Sequence, residues 1–146
     1  MAKEITGGFT VSQEIQIIIS PIYIKYMINR ENIMEPVIET KNIPTELWGD
    51  FCDTFTNGNR GRIINIALVS EDVGERLAEG TIFSAIDYDP EGKGDVFVIS
   101  YGDQAPLTTH VVNMPLEIWQ AQDEIGKVIL LEIIDAEERK LVIEFL

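Results

Sequence analysis

Hydrophobic residues recur along this chain with two different periods. Within residues 43–56, Trp48, Phe51, Cys52 and Phe55 stand at i, i+3, i+4 and i+7, which places them on one face of a helix. Pro44 suits the first turn, where its missing N–H leaves no bond unmade, and Glu46 complements the positive end of the helix. Asn57-Gly58-Asn59 is the expected stop, because both residue types accept the left-handed conformation found after a helix end. Beyond it the period falls to two. Residues 62–69 alternate, with Ile64, Ile66 and Leu68 on one side. Residues 70–80 read as an acidic loop. Residues 81–88 and 96–101 read as a hairpin around the turn-rich spacer 89–95. Strands are also expected at 108–112, 116–122, 127–135 and 141–146. The predicted fold is α+β and mainly β. One N-terminal amphipathic helix packs on an antiparallel meander sheet or small barrel of about six strands.

Residues 1–40 are set apart as an N-terminal extension to a domain spanning 41–146. Phe9, Val11, Gln13, Ile15, Ile17 and Ile19 alternate with their neighbours, and Ile22, Ile24, Tyr26 and Ile28 do so again after Pro21. One reading is a pair of additional strands. The other is a spurious start. Between Ile15 and Met34 most positions are Ile, Tyr, Lys, Asn or Met, the residue types AT-rich DNA encodes by default, and Met27 and Met34 are both possible starts. On the second reading residues 1–33 are dispensable and 41–146 fold alone. The greasy stretch 15–28 is short and contains Gln16, Pro21 and Lys25. A membrane-spanning helix needs about 20 apolar residues, more than this stretch holds.

Charge narrows the classes of partner. The chain of 146 residues carries 25 acidic and 11 basic side chains, a net charge of −14. Residues 1–40 hold five acids and three bases, hence −2, so the remaining −12 belongs to residues 41–146. Such a surface repels nucleic-acid phosphates and anionic lipid and attracts a basic protein partner; its simplest role is solubility. Cys52 is the single cysteine, so no intrachain disulfide forms. A lone cysteine in an apolar helical pattern suggests core packing in a reducing, cytoplasmic compartment.

Several short phrases occur in a fixed order. Ile43-Pro44 leads to Leu47-Trp48, Phe51 and Phe55, then Arg60-Gly61-Arg62. Ile86-Asp87-Tyr88-Asp89-Pro90 follows, then Met114-Pro115 with Ile118-Trp119, and the closing Leu131-Glu132-Ile133-Ile134-Asp135. Together they resemble a family of small uncharacterised bacterial proteins, a domain of unknown function in which an Ile-Pro-x-x-x-Trp helix precedes several strands. The resemblance covers about residues 41–146. It implies no catalytic residues and no cofactor.

The candidate chemistry is sparse. Asp87, Asp89 and Glu91 before Gly92 echo the first half of a calcium loop, but Val98 stands where a bidentate Glu is required, so an acidic hairpin turn is the simpler reading. His110 is the single histidine, so a multi-histidine metal site is excluded. A thiol–imidazole pair with Cys52 conflicts with burial of the thiol, which keeps it protonated. Arg60 and Arg62 form a basic cluster suited to a carboxylate or phosphate, or to neighbouring acids. Trp119 is placed on an edge strand beside Pro115, either as core or as an interface anchor. Arg60, Arg62, His110 and Trp119 are therefore the candidate ligand- or partner-binding residues. The sequence favours a non-enzymatic interaction or regulatory module that uses a sheet edge and an acidic surface. The alternatives are a small-molecule-binding or weakly enzymatic β-barrel with Arg60, Arg62 and His110 at its mouth, and an acidic decoy that mimics nucleic acid. No cofactor, direct nucleic-acid contact or membrane contact is expected.

Overall fold

In a computed structural model, residues 39–71, 73–90 and 92–146 are described. Residues 1–38, with the strands or spurious start expected there, lie outside them. Strand β1 (Glu39–Asn42) opens the described chain, and a 3-10 turn (Thr45–Leu47) leads into helix α1 (Trp48–Asn59). Seven strands follow: β2 (Ile63–Ser70), β3 (Val73–Asp89), β4 (Val96–Tyr101), β5 (Thr108–Asn113), β6 (Pro115–Gln122), β7 (Val128–Asp135) and β8 (Lys140–Phe145).

The apolar stripe of α1 is the one its spacing demands. Trp48, Cys52 and Phe55 are buried, and Phe51 packs at the rim. The helix lies on β3, with the Trp48 ring 5.3 Å from Tyr88 and 5.1 Å from Phe97. Phe55 meets Phe83 at 5.8 Å and Phe145 at 5.5 Å. The Thr56 hydroxyl donates to the Ile86 carbonyl at 3.1 Å and accepts from the Ile86 N–H at 3.0 Å, which ties the helix to the strand. Asn57-Gly58-Asn59 does not end the helix, which runs through it. The Asn59 carboxamide donates to the Phe55 carbonyl and accepts from Arg62, so the last turn is held by side chains. The reversal falls at Gly61, whose φ of +93° suits a residue without Cβ.

The strands form one open antiparallel sheet in the order β1-β6-β7-β8-β2-β3-β4-β5. It has eight strands instead of about six, and it is neither a simple meander nor a closed barrel. Two meanders, β2-β3-β4-β5 and β6-β7-β8, meet where β8 pairs with β2. The acidic loop expected at 70–80 is strand instead. Residues 73–82 pair with β2, and the same strand then bends to pair with β4. Register shifts at Ile64/Asn65, Ile66/Ala67 and Phe83/Ala85 mark the bend, since a bulge adds local twist. At Gly80, φ +69°, the backbone N–H donates to the Asn65 carboxamide at 2.8 Å. The curl brings the two ends of the sheet together, because β5 passes to β6 through Met114 alone.

The inner face of the sheet carries Ile64, Ile66, Ile118, Leu131, Ile133, Leu141, Ile143 and Phe145, which join Trp48, Cys52, Phe55, Phe83, Phe97 and Ile99 in one core. The outer face of β6-β7-β8-β2 is also buried. There the register aligns Trp119, Glu132, Val142 and Ala67 in one row and Ala121, Leu130, Glu144 and Asn65 in the next. All of these except Trp119 are 5% exposed or less. An antiparallel sheet more often leaves one face to water.

Cys52 lies at 2% exposure on the inward face of α1. Burial pushes its thiol up to about 12, with Asp87 and Asp53 adding to the rise. Labelling by a bulky thiol reagent should therefore be slow in the native protein and rapid in denaturant, since only the thiolate reacts. Equal rates under both conditions would place Cys52 at the surface.

Candidate functional site

The strand β5 is an edge of the sheet: β4 pairs with one side, and among the described residues no strand pairs with the other. An edge presents a row of unpaired backbone N–H and C=O groups, which proteins usually shield with charges, proline or bulges. None of these devices protects β5. Its register with β4 runs unbroken from Tyr101↔Thr108 to Val96↔Asn113. Its sequence, Thr-Thr-His-Val-Val-Asn, contains no charge and no proline. The run without Asp, Glu, Lys or Arg extends from Gln104 to Leu116, within a chain of net charge −14. Leu107, Val111, Met114 and Leu116 are each between 39% and 56% exposed along it. In the sequence, 108–112 reads as one more strand. The missing charges are visible there, but edge position follows from strand order.

Beside this edge is a seam. The Ala136 N–H donates to the Met114 carbonyl at 3.0 Å and pins the β7–β8 turn to the β5–β6 link. The remaining gap is a cavity of about 140 Å³ lined by His110, Val112, Asp135, Arg139, Leu141 and neighbouring residues. Asp135 organises the turn: one carboxylate oxygen accepts from the Glu137 and Arg139 N–H groups, the other from the Arg139 guanidinium at 2.9 Å. Burial lowers the pKa of His110, and the Arg139 charge lowers it further, so its imidazole is neutral near pH 7.

The sequence-derived candidates do not converge. Arg60 donates from Nε to the Ser84 carbonyl at 3.0 Å. Arg62 donates to the Asn59 carboxamide oxygen, and its guanidinium stacks 5.0 Å from the Phe145 ring centroid. Both arginines thus brace the end of α1, and neither lines the His110 seam. Trp119 is not on an edge strand, because β1 pairs outside β6. It is half-buried on the outer face and donates from Nε1 to Glu117 at 2.8 Å. Asp87 and Asp89 sit in the β3–β4 ladder opposite Val98 and Val96, and Glu91 lies outside the described residues. Tyr88 donates its hydroxyl proton to Asp95 at 3.1 Å across the same hairpin. Among the described residues no three His, Cys, Asp or Glu side chains gather as metal ligands. Nor is any described helix long and apolar enough to cross a membrane.

A second depression, of about 580 Å³ and open to solvent, lies between β1 and the start of α1, lined by Ile43, Pro44, Leu47 and Phe51 among others. Sequence reading does not single out Glu132. It lies within the apolar run 128–134, where a carboxylate is out of place, yet the run alone does not tell which face it occupies.

The profile of a family of unknown function (DUF5335) matches residues 39–146. No curated protein and no solved structure matches the chain.

Proposed function

Since the chain belongs to this family of unknown function, we propose that it is a non-enzymatic interaction module that takes an extended, basic segment of a partner protein along the free edge of β5. The observation that carries this reading is an uncharged edge that no strand covers among the described residues, with its exposed apolar residues. In strand addition the main-chain hydrogen bonds supply affinity, and side-chain contacts at alternate positions supply specificity. Leu107, Val111, Met114 and Leu116 offer such contacts. The acidic remainder of the chain favours a cationic partner and speeds encounter with it. We assign the module to the cytoplasm, a reducing compartment in which the buried thiol of Cys52 stays free. A small-molecule site is the weaker reading: the seam cavity of about 140 Å³ is below the roughly 300–1,000 Å³ of ordinary ligand pockets, and the depression of about 580 Å³ beside β1, though of that size, is open to solvent and is lined by none of Arg60, Arg62 or His110.

The test is Val111→Lys. An exposed lysine on an edge blocks strand pairing without disturbing the core, and the fold should keep its stability within about 0.5 kcal/mol. Proteins captured from native lysate by the parent chain and identified by mass spectrometry should be lost, or at least tenfold depleted, with the variant. Undiminished capture by a stably folded Val111→Lys chain would remove β5 as the docking edge.

A further inference from the structure

We propose that β5 also pairs with β5 of a second copy of this chain, antiparallel and centred on Val111, and that this pairing withholds the edge from other partners. The inference rests on the reading of β5 as a docking edge. Among the described residues no strand pairs with its free side. The Met114 N–H donates to the Asp95 carbonyl at 3.0 Å, which turns position 114 toward β4. Backbone groups alternate sides along an antiparallel strand. Those of His110 and Val112 therefore face β4, and those of Thr109, Val111 and Asn113 point to the free edge. The side chains of the same three residues are exposed on the face away from the core, while Val112 is buried and His110 half-buried on the other.

This edge is complementary to itself. A two-fold axis through Val111, perpendicular to the sheet, sets Val111 opposite its own counterpart and Thr109 opposite the second copy's Asn113. All three edge-facing residues of each copy then exchange N–H···O=C bonds, and each face of one copy continues the same face of the other. A register centred on His110 pairs only Thr109 with Val111 within β5, and a slip by one residue sets the core face of one copy against the solvent face of the other. Val98 stands beside Val111 in the ladder and Asp87 beside Val98, so the joint carries a row of four valines with an aspartate at each end. Apolar cross-strand pairs stabilise such a joint. The two Asp87 carboxylates are five strand spacings apart, about 24 Å, roughly three screening lengths at physiological salt. Each copy carries a net charge of −14, and no Asp, Glu, Lys or Arg occurs from Gln104 to Leu116. Along this stretch two acidic copies touch without like charges meeting. A joint between six-residue strands buries less than the roughly 1,000 Å² of a stable interface, so the dimer is weak and reversible. That is the strength a tighter-binding partner can displace.

The test is sedimentation of the purified full-length chain. Its mean mass should rise from monomer toward dimer between micromolar and near-millimolar concentration. A tenfold increase in sodium chloride should tighten the dimer about threefold or more, because salt screens the repulsion between acidic copies. Capture of a basic partner would respond in the opposite sense. Val111→Lys should weaken self-association at least tenfold, and so should Val111→Glu, since either sets like charges face to face. Their equimolar mixture should associate at least threefold more tightly than either variant alone, because this register sets position 111 against itself. A wild-type chain that stays monomeric throughout, a dimer that Val111→Lys leaves intact, or a mixture no tighter than its components would overturn the proposal. Lysate capture is read separately. A monomeric chain whose captured proteins are lost with Val111→Lys sinks self-pairing and leaves the docking module standing. A dimer disrupted by Val111→Lys while capture is undiminished supports self-pairing and removes the docking role.

Discussion

Glu132→Gln is expected to gain stability over the parent as pH rises, by about 3 kcal/mol between pH 4 and pH 8.5. Glu132 stands between Leu131 and Ile133 on a central strand, facing Val142 and Trp119 across the ladder. Burial pushes its carboxyl from an ordinary 4.5 up to about 7, with Lys140 pulling it down and Glu117 raising it further. The folded chain therefore holds a proton that the unfolded chain releases between these two values. Stability from the protonated acid is fully present below about pH 4.5 and is lost as pH rises through about 7. An amide never ionises, so the variant escapes that loss. It also leaves polar atoms without partners, but that cost is the same at every pH and cancels from the difference. Urea unfolding of both proteins across this range measures the effect. Parallel stability–pH curves would show that Glu132 is solvated, and the outer face with it.

Phe83→Ala should cost about 3–5 kcal/mol, a large share of the roughly 5–15 kcal/mol that holds a domain of this size together. Phe83 is wholly buried at the bend of β3, where the strand changes partner from β2 to β4. Its ring meets Phe55 of the helix and Phe145 of β8, the latter at 5.4 Å between centroids. One side chain thus joins the helix to both halves of the sheet. Truncation leaves a cavity that three anchored elements cannot collapse to fill. A loss of less than about 1.5 kcal/mol in denaturant unfolding would show that the site relaxes, and that the aromatic cluster is not the keystone of the fold.

Local patterning determined much of this protein. The 3.6 period of Trp48, Cys52 and Phe55, the turn-rich spacer between residues 88 and 96, and the alternation of the later strands each depend on neighbours in sequence. They specify a helix, a hairpin and a mainly-β antiparallel fold, all of which the structure contains. The order of the short motifs places the family to within a few residues of its observed start at 39.

What the sequence left open depends on partners far along the chain. Residues 73–80 look like a loop because Gly74, Glu75, Arg76 and Glu79 are polar or flexible. They are strand because β2 offers its hydrogen bonds, and because the Asn65 carboxamide accepts from the N–H at Gly80. Helix α1 overruns its expected stop because Asn59 finds Phe55 and Arg62. Arg60, Arg62 and His110 share no site, since the curl of the sheet sends them to different places. The exposed edge of β5 and the burial of Glu132 follow from strand order and register. Those are set by which apolar faces find each other in three dimensions, a long-range choice that no local period encodes.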